Sequence, residues 1–337
     1  MQTPILSRSP TPPKPATWRE ELRQAFRRAD SLLEFLQLER DALPYLNEPD
    51  FPILVPRAFA ARMRKGDPED PLLRQVLPDR AELDVVPGFV DDPVGDQASR
   101  VERGLLHKYR GRLLLISTGA CAIHCRYCFR QAYPYAQDHF HSGQIHQLLD
   151  HLDQHPDIEE IILSGGDPLM LDTNRLHQLT SALRDRVQIQ RLRLHTRLPV
   201  VLPSRIDDEF LSWLENLPWQ VVVVIHANHA LEFDQQVDAA LASLRRGGAT
   251  IFNQAVLLAG VNDQAEDLAN LMRRSFASGV IPYYLHLLDR VSGSARFERT
   301  KDYALTLVEQ LRVELPGYLV PRLVREEAGA PYKLPVL

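Results

Sequence analysis

The sequence predicts an α/β protein: six strand–helix units in its C-terminal two thirds, with an N-terminal helical appendage in front of them. Three observations predict it. β-rich runs recur at 113–117, 160–164, 191–196, 221–226, 250–257 and 281–287, and the later steps are each about 30 residues, the length of one βαβ unit. Helical stretches fit between them at 173–184, 207–215, 233–246 and 264–277. Finally, Cys121, Ser164 to Asp167, His195, His226, Gln254 and Asp289 all fall at or just after the C-terminal ends of these runs, the edge where parallel α/β folds build their active sites. Six parallel strands with helices outside fit an incomplete (β/α)6 barrel or an open doubly wound sheet, and the pattern alone leaves both open.

The elements before the barrel follow from local chemistry. Residues 1–16 carry Pro4, Pro10, Pro12, Pro13 and Pro15 and read as a disordered tail. Residues 17–104 read as a helical and loop-rich N-terminal region, and 105–337 as the barrel with a C-terminal lysine-bearing segment. Thr17 and Glu20 make a capping box, and Trp18, Leu22, Ala25, Phe26 and Ala29 share one helical face, so a helix starts there. Asp30 or Ser31 is positioned to cap a second helix through Leu32, Leu33, Phe35 and Leu36, and a third opens at Pro56 and closes before Gly66. Between Pro44 and Pro93 proline recurs too often for long regular elements.

Composition narrows the function. At 337 residues and 45% hydrophobic content the chain is long enough for one large core. A net charge of -5 argues against nucleic acid as a partner and for a small-molecule substrate. No run approaches the roughly 18 apolar residues of a membrane span, and the proline-rich start lacks the apolar core of a signal peptide, so a cytoplasmic protein with no membrane partner is expected.

Chemistry is concentrated in a few places. The three cysteines, Cys121, Cys125 and Cys128, lie within eight consecutive residues in the spacing C-x3-C-x2-C. An odd, clustered set is a poor disulfide framework and a good soft-ligand set, suited to iron–sulfur clusters, copper(I) or zinc. Three thiolates can hold three irons of a [4Fe–4S] cluster and leave the fourth open. Structural zinc wants a fourth protein ligand, for which His124 or His107 would have to serve. After the second strand, Ser164-Gly165-Gly166-Asp167-Pro168 allows backbone to approach a ligand closely and is also a plain turn sequence. The chain has only five lysines: Lys14 lies in the tail, Lys65 beside a helix-end glycine and Lys301 at the start of the last helix. Lys108 and Lys333 remain as candidates for covalent work, and Lys333 sits in the rigid run Gly329-Ala-Pro331-Tyr-Lys333-Leu-Pro335.

C-x3-C-x2-C with an aromatic, Tyr127, before the last cysteine resembles the cluster motif of the radical S-adenosylmethionine (SAM) superfamily, and Gly165-Gly166-Asp167 resembles the element with which that superfamily holds the SAM amino group. From about Val55 onward the chain is similar to the lysine 2,3-aminomutase family. The matching stretches are Pro71-Leu-Leu-Arg-Gln75, His107-Lys-Tyr109-x2-Arg112, the cysteine run with Phe129-Arg130, Ser164 to Leu169, His195-Thr-Arg-Leu-Pro199, Asn253-Gln254-x-Val-Leu-Leu258, Pro282-Tyr-Tyr284 with Asp289, and Lys333-x-Pro335. The resemblance implies an incomplete barrel and three cofactors: SAM, a [4Fe–4S] cluster and pyridoxal 5′-phosphate (PLP).

The same resemblance implies roles. Lys333 would be the PLP lysine, Arg130 would clamp the substrate carboxylate, and Asp289 would meet the ε-ammonium of L-lysine. Tyr109 and Arg112 would contact PLP and its phosphate. His226, Gln254, Tyr127 and Ser164 to Asp167 would line the cofactor pocket, with Cys121, Cys125 and Cys128 on the cluster. Where the long members carry a second aspartate seven residues before the PLP lysine, this chain has Glu326. That change, and a sequence that ends four residues after Lys333, resemble the short branch that supplies (R)-β-lysine for modification of elongation factor P. Rival readings are a radical SAM enzyme without PLP and a zinc-bound protein-interaction scaffold.

Overall fold

A computed structural model describes residues 17–337 apart from 41–42, 47 and 136–137. The expected tail, 1–16, lies outside the described residues. Four short helices come first: α1 (Trp18–Arg23), α2 (Ala29–Phe35), α3 (Arg57–Ala60) and α4 (Pro71–Arg74). Thr17 and Glu20 form the expected capping box. The apolar face running from Trp18 to Ala29 is split, however, because α1 ends at Arg23 and Ala29 opens α2. Asp30 does not cap α2. Its N-cap is Arg28, with no side-chain bond, and the Asp30 carboxylate instead accepts a hydrogen bond from the Tyr45 hydroxyl at 2.8 Å. The third helix does open after Pro56 but lasts one turn.

Ten strands follow: β1 (Arg100–Glu102), β2 (Leu105–Tyr109), β3 (Arg112–Thr118), β4 (Glu160–Gly165), β5 (Arg191–Thr196), β6 (Gln220–Ile225), β7 (Thr250–Val256), β8 (Ile281–His286), β9 (Arg322–Arg325) and β10 (Leu334–Pro335). They form one sheet in strict chain order. β3 to β9 run parallel, while β1, β2 and β10 pair antiparallel at the two edges. The intervening helices are α5 (Ile145–Gln154), α6 (Thr173–Leu183), α7 (Leu198–Val201), α8 (Asp208–Glu215), α9 (Gln235–Arg246), α10 (Ala265–Ala277) and α11 (Lys301–Glu314). A doubly wound sheet reverses its strand order at a switch point. This one never reverses, and β1 does not pair with β10, so the sheet winds one way and stays open. It is an incomplete barrel of six β/α units, from β3 with α5 to β8 with α11, closed off by β9 and β10.

Strand and helix chemistry explain the register. β4 is buried from end to end, as expected for a parallel strand covered on both faces. Its one charged residue, Glu160, is paired with Arg193 on β5. On α9, Val237, Ala240, Leu241 and Leu244 form the buried stripe, and Asp234 caps the helix through the Val237 amide at 2.9 Å. A single apolar core runs from Trp18, Phe26, Leu32 and Phe59 into Leu113, Leu163, Leu194 and Val223. The N-terminal helices thus pack on the barrel rather than standing apart.

Candidate active site

The C-terminal ends of the parallel strands surround one cavity of about 840 Å³. Every site residue expected from the sequence lies on its wall: the three cysteines, Tyr109, Arg112, Tyr127, Arg130, Ser164 to Asp167, His226, Gln254, Asp289, Glu326 and Lys333.

The cysteines occupy the loop after β3. All three thiols are free and half-buried. Burial, together with the neighbouring thiols, pushes Cys121 well up and Cys128 up to about 11. Cys121 and Cys128 are thus costly to ionise, a cationic cluster offsets that cost, and with Cys125 facing the same cavity the donor set fits soft-metal ligation. The loop is fastened from below. The Tyr127 hydroxyl accepts from Asn228 Nδ2 at 2.6 Å, Arg126 N–H donates to Gln75 O at 2.9 Å, and Arg197 Nη1 lies 2.7 Å from Cys125 Sγ. Arg197 also reaches Gln75 and buried Glu232, at 2.7 and 2.9 Å. Tyr127 therefore packs as a structural aromatic while also facing the cavity.

Beside that loop, Gly165 holds φ +123°, and a Cβ there would come 2.5 Å from Thr118 O. At Gly166 a Cβ would fall 2.4 Å from Ala120 O. Only glycines let the end of β4 lie against the cysteine loop. Asp167 then ties β4 to β5: its carboxylate accepts from Thr196 Oγ1, Arg197 N and Leu169 N at 2.7, 2.7 and 3.0 Å. Burial raises the Asp167 carboxyl to about 6 against those hydrogen bonds.

At the other end, a hairpin positions the lysine. β10 pairs with β9 so that Leu334 faces Arg325, which sets Lys333 opposite Glu326. Lys333 Nζ is 3.0 Å from Glu326 Oε2 and 3.3 Å from His286 Nε2. Burial works against the Glu326 charge, yet Lys333 and Lys108 overcome it and hold the carboxyl well below its ordinary value. Lys108 is saturated: its Nζ lies 2.8 Å from each of Val94 O, Asp96 Oδ1 and Glu326 Oε1. An ammonium has three donors, so Lys108 has none to spare and Lys333 is the freer amine.

Glu326, taken from the resemblance as a possible second contact for an ammonium, has both oxygens engaged by the chain's own lysines. Asp289 is different. Among the described residues its carboxylate has no hydrogen-bond or ion-pair partner, and burial, aided by repulsion from Glu326, raises it to about 7. Arg130 is fixed by Nε to Asp96 Oδ2 at 2.6 Å and by Nη1 to Ser164 Oγ at 2.9 Å.

Three nitrogens of cavity-lining residues, Arg112 Nε, His195 Nε2 and Arg197 Nε, are buried without a hydrogen-bond partner. Arg112 lies 4.8 Å from the Tyr109 ring centroid. An orphaned guanidinium N–H fits a polyanionic group such as a phosphate. Burial keeps the imidazoles of His195, His226 and His286 neutral, with His226 pushed down to about 3. Sequence reading passed over Asp96 and His286. Asp96 lies in a loop with no motif; His286 ends a strand, and that position was its available signal.

Residues 115–272 match the radical SAM superfamily. The L-lysine 2,3-aminomutase of Escherichia coli (strain K12) is 42% identical over 327 residues, covering 96% of this chain and 95% of that protein. The L-lysine 2,3-aminomutase of Haemophilus influenzae is 40% identical over 331 residues, covering 98% of each. That of Buchnera aphidicola is 38% identical over 320 residues, covering 94% of each.

An open barrel whose strand ends present three thiols and a Gly-Gly-Asp turn to one cavity is the body of a radical SAM enzyme, and that class implies SAM and a [4Fe–4S] cluster. Within the class, the chain belongs to the L-lysine 2,3-aminomutase family and is an isomerase rather than a scaffold. No helix among the described residues is long and apolar enough to cross a membrane.

Proposed function

We propose that this enzyme converts L-lysine to (R)-β-lysine with a [4Fe–4S] cluster, SAM and PLP, and that the product serves the modification of elongation factor P. The observation that carries the reading is a single cavity with free thiols at one end and, at the other, an available lysine beside an unpartnered carboxylate. When bound, the cluster and SAM supply a hydrogen-abstracting 5′-deoxyadenosyl radical, and PLP supplies a carbonyl for amines and a π system that spreads unpaired spin.

The chain's own residues do the rest. Cys121, Cys125 and Cys128 hold the cluster. Tyr127, Ser164 to Asp167, His226 and Gln254 wall the SAM end. Lys333 Nζ, held between the Glu326 carboxylate and the neutral His286 imidazole, would present its amine to PLP. Arg112 Nε and Tyr109 take the phosphate side. Asp96 holds the Arg130 guanidinium in one orientation, with N–H groups left over for a carboxylate. Asp289 takes the ε-ammonium, a buried cation that needs a buried anion. Holding both ends of lysine fixes C2 and C3 and excludes water from them.

Anaerobic incubation with lysine, SAM, PLP and dithionite, followed by chiral chromatography, tests the reaction, with (R)-β-lysine expected. Deoxyadenosine formed without β-lysine would favour a radical SAM enzyme that does not use PLP. Deleting the gene should remove the β-lysyl mass from elongation factor P in the same cells, and an unchanged adduct would separate the enzyme from that pathway.

A further inference from the structure

On the barrel's outer side, three imidazoles meet that the chemistry above does not use. His107 lies on β2 between Leu106 and Lys108, which both line the cavity. Its own ring contacts α5 instead, as strand alternation dictates. His151 is in the last turn of α5 and His155 is its C-cap, four residues apart and so on one face. His151 Nε2 is 3.2 Å from His107 Nδ1. Ring centroids are 5.3 Å apart for His107 and His151, 5.1 Å for His107 and His155, and 4.3 Å for His151 and His155. One ring nitrogen from each residue lies within 4.8 Å of the other two.

We propose that His107, His151 and His155 form a second metal site, taking one divalent transition-metal ion such as zinc and leaving a fourth position to water. Tetrahedral zinc with Zn–N bonds of about 2.0–2.1 Å sets its ligand nitrogens about 3.3 Å apart. The His107–His151 pair already has that spacing, and the third nitrogen needs only a side-chain adjustment. Imidazoles without thiolate or carboxylate select zinc, nickel, cobalt or copper over magnesium or calcium. The carbonyl end of a ten-residue helix points at the site, and its partial negative charge favours a cation. Burial and the neighbouring imidazoles push His107 and His151 below their ordinary value, so their lone pairs are available at neutral pH. Bound metal would clamp β2, which carries Lys108 and Tyr109, against α5. The inference stands on these three residues and is independent of the proposed reaction.

The test uses anaerobically purified, cluster-loaded protein, so that the three thiols are occupied, equilibrated with zinc and freed of excess. Elemental analysis should find about one zinc per chain beside the iron, lost in His151→Asn/His155→Asn with iron unchanged. Zinc should raise the melting temperature of the parent and not of that variant. X-ray absorption at the zinc edge of the parent protein gives a reading that needs no variant: nitrogen ligands with imidazole scattering are expected. A sulfur shell, zinc retained by the double variant, or a parent that holds no more zinc than the variant would each overturn the site.

Discussion

Asp289→Asn should make the cofactor-free protein more stable and the enzyme far worse, an opposition of signs that a merely structural carboxylate would not produce. Its folded-state carboxyl is raised from 3.8 to about 7 by burial and by Glu326. Because the folded pKa is raised, the penalty is absent below pH 4, grows as pH climbs toward 7, and is complete above it. At about 1.4 kcal/mol per unit, ionised Asp289 costs the folded state up to about 4 kcal/mol. Asparagine removes that cost, so denaturant midpoints of the two proteins should coincide near pH 4 and diverge by pH 8 in favour of the variant.

Catalysis moves the other way. Leaving a buried ammonium without its anion costs about 3–5 kcal/mol, a factor of about 150 to several thousand in lysine kcat/KM. The parent's kcat/KM should rise with pH through about 7 as Asp289 ionises, and the variant should lack that limb while keeping its iron and its PLP absorbance. A variant that is less stable at pH 8, or that turns over lysine within threefold of the parent, would refute the assignment.

Cys125→Ala should lose cluster iron and SAM-derived deoxyadenosine together, measured after anaerobic reconstitution; undiminished deoxyadenosine would remove the cysteines from the cluster. Borohydride reduction followed by peptide mapping should place PLP on Lys333 and not on Lys108, and Lys333→Ala should abolish the adduct. Asp96→Asn strips a carboxylate from two buried cations at once, each charge-assisted bond being worth about 1.5–3 kcal/mol. It should raise the lysine KM at least tenfold and lower the melting temperature, with iron content unchanged; an unaltered KM would show that Arg130 needs no such support.

Much of this was legible in the sequence because it rests on local rules. Each of the six strands from β3 to β8 falls within a residue or two of its β-rich run, and the long helices start at the Asp caps that precede α6, α8 and α9. β9 and β10 were missed because four and two residues with charged flanks carry no period to read. The β1–β2 hairpin was missed because its turn at Gly104, at φ +70°, lies in a stretch of alternating charges rather than in an Asn-Gly signal. Asp30 has the chemistry of a helix cap but not the placement, since a tyrosine fifteen residues away claims its carboxylate. The choice between barrel and doubly wound sheet was illegible because both use the same units, and only long-range pairing order separates them.

Charge placement explains why Lys108 and Lys333 were hard to rank from sequence and are easy to rank in space. From Arg130 the cavity wall alternates in sign through Asp96, Lys108 and Glu326 to Lys333. In such a chain an interior cation is held from both sides, whereas the terminal one is held from one side. Lys108 is interior, with an anion on either hand and a carbonyl taking its third proton. Lys333 is terminal, with one carboxylate and one neutral imidazole beside it. The terminal amine gives up the fewest contacts when it turns toward a ligand, so the lysine at the end of the alternation is the one we propose for PLP. Asp289 stands outside it, a carboxylate with no cation of its own among the described residues, and in the proposed reaction the ε-ammonium of the substrate completes the pattern.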